Sequence, residues 1–151
     1  MRACAADLDP LIRGFMTLIQ CFYAGNLHCR AKHLPSASII NTDAPPDHDG
    51  NGEGFAPTDL LASSLGTCIL TVMGIHSRRK GWDLGRAHAL VRKTMSAEQP
   101  RKIESLDVDV HLPPGLTAEQ IVFLKQAAQD CPVMRSLSDD LVVHLKWIVE
   151  V

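Results

Sequence analysis

Between Leu60 and Ser77 the chain carries no Asp, Glu, Lys or Arg, the longest stretch of which this is true. An uncharged run of this length either crosses a bilayer or forms a helix buried in a protein. Ser63, Ser64, Gly66, Thr67, Thr71 and Gly74 interrupt it and make it a poor bilayer span, so a buried helix of a soluble protein is expected. Its ends are well marked. Pro57 stands where a missing N–H costs least, Asp59 lies in the first turn, and Arg78, Arg79 and Lys80 precede Gly81 at the negative end of the helix dipole. The sequence thus predicts a helix over Pro57–Lys80. Leu60, Leu61, Leu65, Ile69, Val72, Met73 and Ile75 cover more than one stripe, and the helix should be mostly buried.

Around this helix the pattern is that of strands. Thr17 to Tyr23 is β-branched and aromatic, Ala24-Gly25-Asn26 supplies turn residues, and Leu27 to His33 continues as the second arm of a hairpin. Ser38 to Thr42 reads as a third short strand. Asp43 to Gly54 is dense in Asp, Pro and Gly and is read as a surface loop. Leu84 to Met95 and Ile103 to Leu112 form an antiparallel pair with one wet face, clearest in the strict alternation of Leu106-Asp-Val-Asp-Val-His-Leu112. Thr117-Ala-Glu-Gln120 has capping-box spacing and starts a second helix, which halts near Cys131-Pro132. Leu141 to Val151 closes the fold as a strand.

The charge balance, 15 Lys and Arg against 17 Asp and Glu, leaves no basic excess for a nucleic-acid backbone. Five cysteines cannot pair fully within one chain, and a domain of this size needs no disulfides to fold. The simpler reading is a reducing, cytoplasmic setting. The first ten residues carry two acids and lack the apolar run of a secretory signal. With Met16 as a natural start, residues 1–16 read as an N-terminal extension carrying Cys4, and residues 17–151 as one domain.

Two cysteines have distinctive contexts. Cys68 lies within the small-residue run Ser63-Ser-Leu-Gly-Thr-Cys68, where Gly66 permits another backbone to come close. Cys131 directly precedes Pro132, which places its sulfur at a helix N-terminus, an arrangement that lowers a thiol pKa. Context alone leaves each open between a packed, inert thiol and a reactive one. Asp47-His48-Asp49 reads as a solvated turn, since it lacks the spacing of a calcium loop. The odd offsets among His28, Cys29 and His33 split them across both faces of a strand, which disfavours a zinc site there.

Phe55-Ala-Pro-Thr-Asp-Leu-Leu-Ala-Ser-Ser-Leu-Gly-Thr-Cys68, followed much later by Cys131-Pro-Val, resembles the OsmC/Ohr family of osmotically induced and organic hydroperoxide resistance proteins. The nearest branch carries a Phe-Ser-Pro-Thr-Asp-Leu type motif. The resemblance implies an α+β, OsmC-like fold with a long central helix packed on antiparallel sheet, assembled as an intertwined homodimer. It also implies a thiol peroxidase site, with Cys68 as the peroxidatic residue and Cys131 as its resolving partner. No metal or organic cofactor is implied, and an external dithiol would act as reductant. The runner-up is a non-catalytic member that binds a small hydrophobic ligand or senses oxidants.

One departure bears on mechanism. In the peroxidase branches a glutamate follows the motif proline and works with an arginine to polarise the thiol, whereas here Thr58 follows it and the acid comes at Asp59. At about 1.5 Å of rise per residue, position 58 stands roughly 15 Å from Cys68 on one helix. Neither Thr58 nor Asp59 reaches that sulfur within one chain. Glu53 is the candidate substitute for the carboxylate. Arg30 is the candidate arginine as the only one between Thr17 and Asp59, with Lys32 and His33 as alternatives.

Overall fold

The computed structural model describes residues 16–150. All of the expected N-terminal extension except Met16, Cys4 included, lies outside the described residues. The chain divides between Pro57 and Thr58 into two compact units.

In the first unit, β1 (Ile19–Gly25), β2 (His28–His33) and β3 (Ile39–Asp43) form an antiparallel sheet in that order. The expected hairpin turn is present, with Gly25, Asn26 and Leu27 all at positive φ. The side-chain period of two sorts the sheet into unlike faces. Ile19, Cys21 and Tyr23 share one face with Cys29, Ala31, His33, Ile40 and Thr42, while Gln20, Phe22, Arg30, Lys32, Ile39 and Asn41 share the other. Among the described residues of this unit only Thr42, Asp43 and Ala56 are buried. Ile19 is 56% and Tyr23 68% exposed, and Phe22 and Ile39 on the opposite face are exposed too.

The second unit opens with α1 (Pro57–Lys80), whose bounds match the expectation. It continues through β4 (His88–Met95), β5 (Ile103–Leu112), α2 (Ala118–Ala128), α3 (Pro132–Arg135) and β6 (Val142–Val149). The strands form one sheet in the order β4-β5-β6, with β4 and β5 antiparallel and β5 and β6 parallel. The expected capping box holds the start of α2: Gln120 N–H donates to Thr117 Oγ1 at 3.2 Å and Thr117 N–H to Gln120 Oε1 at 2.8 Å.

Alternation along β5 buries Leu106, Val108, Val110 and Leu112 against Ala62, Leu65, Ile69 and Met73 of α1 and Leu124 and Ala128 of α2. The expectation that α1 is mostly buried is corrected. Its buried residues, Ala62, Leu65, Gly66, Ile69, Met73 and Ser77, fall at steps of three and four along one stripe, because the sheet covers only the face turned toward it. Leu61 and Ile75 remain 37% and 44% exposed. By length and mean hydropathy α1 could cross a membrane, but its buried stripe is already packed in a protein core.

Gly66 is the point of closest helix–sheet approach. A Cβ there would lie 2.8 Å from Val91 Cγ2, so the expected close neighbour is a β4 side chain rather than a backbone. For Gly66→Ala, overpacking costs about 1–3 kcal/mol against about 1 kcal/mol gained in helix propensity. A net loss of about 1 kcal/mol is expected, measured as a lower urea midpoint at unchanged slope.

Candidate functional site

Cys68 and Cys131 are brought together by the second unit. Cys68 lies mid-way along α1, half-buried at the border between its buried stripe and its outer face, and packs against the core cluster that contains Cys131. Cys131 is fully buried at the N-cap of α3, with Pro132 in the first helical turn. The junction is tightly tied. Cys131 N–H donates to Ala128 O at 3.2 Å, Met134 N–H donates to Cys131 Sγ at 3.5 Å, and Arg135 pairs with Asp130 on its outside. The two thiols lie close enough to interact electrostatically.

The expected electrostatics of Cys131 are corrected. Its sulfur does sit at a helix N-terminus and accepts a backbone N–H, which favours the thiolate. Burial outweighs this, and with the influence of the neighbouring Cys68 thiol it pushes the Cys131 thiol up from its ordinary value of 9.0. Cys131 is therefore a neutral thiol at physiological pH.

Thr58 and Asp59 are committed elsewhere. Lys93 Nζ, reaching from β4, donates to Thr58 Oγ1 at 2.7 Å and to Asp59 Oδ1 at 2.5 Å, pinning the first turn of α1 to the sheet. Sequence reasoning missed Lys93, because nothing local marks one lysine of a strand as the partner of a helix more than thirty residues earlier. Its side chain is largely buried while that of Asp59 is partly wet, so Lys93→Ala should cost about 1–2 kcal/mol after solvent screening is allowed for. A thermal melt checks this.

The other two candidates lie in the first unit. Arg30 is exposed in the middle of β2, opposite Phe22 and Asn41. The carboxylate of Glu53 takes a hydrogen bond from Asn51 Nδ2 at 3.1 Å and lies 3.3 Å from His28 Nε2. Sequence reasoning also missed the cluster that holds Glu53. Asp43 is buried, its Oδ2 accepts Glu53 N–H at 2.9 Å, and its Oδ1 lies 3.6 Å from His28 Nε2.

Charge is shared across this cluster with a definite sign. His28 is raised above its ordinary 6.5, first by donating to the Asn26 carbonyl and then by Asp43 and Glu53. Asp43 is lowered from its ordinary 3.8, first by the Glu53 N–H and then by His28. The stability that His28 contributes is complete below pH 6.5 and is lost as pH rises through its folded value. That of Asp43 is complete above 3.8 and is lost as pH falls through its lower folded value. An NMR titration should place His28 above 6.5, and Asp43→Asn should bring it down.

The OsmC-like protein family model matches residues 50–146, a span that holds both thiols. An osmotic-stress-induced and detoxification-response protein from Psychrobacter arcticus is 37% identical, with 89% of this chain and 96% of that one covered and a TM-score of 0.81. Two more distant structures share the fold. An organic hydroperoxide resistance protein OsmC from Legionella pneumophila is 15% identical over 88% of this chain and 96% of that one, with a TM-score of 0.71. An OsmC-like protein from Mycoplasma pneumoniae is 16% identical over 89% and 96%, with a TM-score of 0.75. No curated protein matches the chain.

Proposed function

Because the chain belongs to the OsmC-like family, we propose that it is a cytoplasmic, cysteine-dependent peroxidase that reduces organic hydroperoxides. The observation that carries this reading is the thiol pair itself: a half-buried Cys68 packed against the core cluster that contains the buried thiol of Cys131. The name of the Legionella relative supplies the substrate class.

The Cys68 thiolate attacks the terminal peroxide oxygen, the O–O bond breaks, and the alkoxide takes a proton and leaves as the alcohol. Cys68 is then a sulfenic acid. The Cys131 sulfur attacks it, the S–O bond breaks, and the departing hydroxide takes up the Cys131 proton as water while the disulfide forms. An external dithiol reduces that bond and is itself oxidised to a disulfide. Every redox step stays on sulfur, so no organic cofactor or metal takes part in this scheme. Arg30 and Glu53 are the groups assigned to polarise the thiol. Arg30→Gln and Glu53→Gln are each expected to lower kcat/KM for an alkyl hydroperoxide by about tenfold or more, within the usual range for a positioned charge.

The active form in this proposal is an intertwined homodimer. Its support is the exposed Ile19, Phe22, Tyr23 and Ile39 of the β1–β3 sheet together with the outer face of α1. Ser64, Thr67 and Thr71 on that outer face donate their hydroxyls to carbonyls of their own helix, so it can be buried without leaving a polar group unpaired. The test of function is peroxide consumption with a small dithiol, with a Cys68–Cys131 disulfide trapped in the absence of reductant.

A further inference from the structure

Away from the thiols, the second unit gathers three ligand-bearing side chains at one end of its sheet. His88 opens β4 and stands directly opposite His111 near the end of β5. Glu150 follows β6. Its N–H donates to Leu112 O at 3.0 Å, and in the parallel register His111 faces Ile148. Two residues on from Ile148, the Glu150 side chain therefore falls on the same face as His111.

The three groups are already assembled. One ligand atom from each of His88, His111 and Glu150 lies within 4.8 Å of the other two. The imidazoles stack with centroids 4.3 Å apart and planes 12° off parallel, and His111 Nδ1 is 3.5 Å from Glu150 Oε1. Around a tetrahedral zinc ion, ligand atoms stand about 3.3 Å apart. The His111–Glu150 separation of 3.5 Å is close to that value, and the third ligand atom already lies within 4.8 Å of the other two. His88 Nδ1–H donates to the Arg86 carbonyl at 3.3 Å, which fixes the tautomer and leaves the Nε2 lone pair free, as a second-sphere carbonyl does for zinc-bound histidine.

We propose that His88, His111 and Glu150 form a binding site for a first-row divalent cation of the Zn2+ type, with solvent in the fourth position. Two imidazoles and one carboxylate suit a borderline ion over Mg2+ or Ca2+, which prefer all-oxygen shells. The ligands come from the ends of all three strands, so the bound ion ties β4, β5 and β6 together. It holds the folded sheet and not the open chain, and its binding raises Tm.

The test is a Zn2+ titration of the full-length, tag-free reduced protein, followed through the imidazole nitrogen resonances. Because thiols also bind zinc, the titration is repeated on Cys68→Ser/Cys131→Ser. In both proteins the first equivalent should shift the His88 and His111 signals together while the His28 and His33 signals stay in place, and Tm should rise. His88→Gln, His111→Gln and Glu150→Gln should each weaken binding by at least about tenfold, with circular dichroism unchanged without metal. The proposal is overturned if the His88 and His111 signals do not move, if the three variants bind zinc as tightly as the parent, or if Mg2+ displaces zinc at equal concentration.

Discussion

Cys68→Ser should reduce peroxide consumption to the level of an ordinary exposed thiol, a loss on the order of 10³-fold or more, as removal of a nucleophile commonly produces. Cys131→Ser should behave differently. Its Cys68 is still positioned to attack, so one stoichiometric burst of consumption is expected, after which the sulfenic acid persists or is oxidised further. The contrast follows from their environments. Cys68 lies half-exposed on a helix, and Cys131 is a buried neutral thiol that becomes reactive only when a sulfenic acid forms beside it. Stopped-flow peroxide loss and mass spectrometry of the oxidised products distinguish the two variants. Unchanged consumption by Cys68→Ser would falsify the peroxidase reading. Disulfide formation without repeated turnover, with any dithiol offered, would leave an oxidant sensor in its place.

Ile75→Glu is expected to dissociate the proposed homodimer. Ile75 is on the outer face of α1, within the stretch that carries no Asp, Glu, Lys or Arg from Leu60 to Ser77. An unpaired carboxylate buried in such an interface costs about 3–5 kcal/mol, or roughly 10²–10³-fold in Kd. Since the side chain is exposed within the single chain, the fold of the second unit should survive. Sedimentation velocity across a concentration series reads the outcome. A parent protein that stays monomeric at high micromolar concentration would remove the dimer altogether, and a variant that stays as dimeric as the parent would place this helix face outside the interface.

Local signals carried most of the fold. The bounds of α1 followed from a proline, three terminal cations and a glycine, each acting through the helix backbone at its own end. The β5 alternation and the α2 capping box were equally local, because their physics involves residues within a turn or a pleat of one another. What the sequence hid was pairing across distance. Nothing in Leu141 to Val151 says that the last strand lies parallel to β5, since a strand's own pattern does not encode the direction of its neighbour. Lys93 beneath Thr58 and Asp59, the His28–Asp43–Glu53 cluster and the meeting of His88, His111 and Glu150 are likewise products of register. The thiol pair was legible only through resemblance. Even then the ionisation of Cys131 was misjudged, because a dipole can be read from Cys-Pro whereas burial by Leu106, Leu124 and their neighbours cannot.

The parallel pairing of β5 with β6 has a consequence for the order in which the molecule assembles. Parallel neighbours cannot be joined by a tight turn, so the chain from residue 113 to 141 must leave the sheet, traverse it as α2 and α3, and return before the last ladder can close. Loop-closure entropy makes such a ladder slow to form, and Cys131 rides on the travelling segment. During synthesis Cys68 emerges early, within α1, while its partner sulfur arrives only with the final crossover. The nascent polypeptide thus carries two ordinary, separated thiols. In the proposed enzyme the completed topology brings the two sulfurs together, so a chain truncated before β6 is expected to lack the Cys68–Cys131 disulfide cycle.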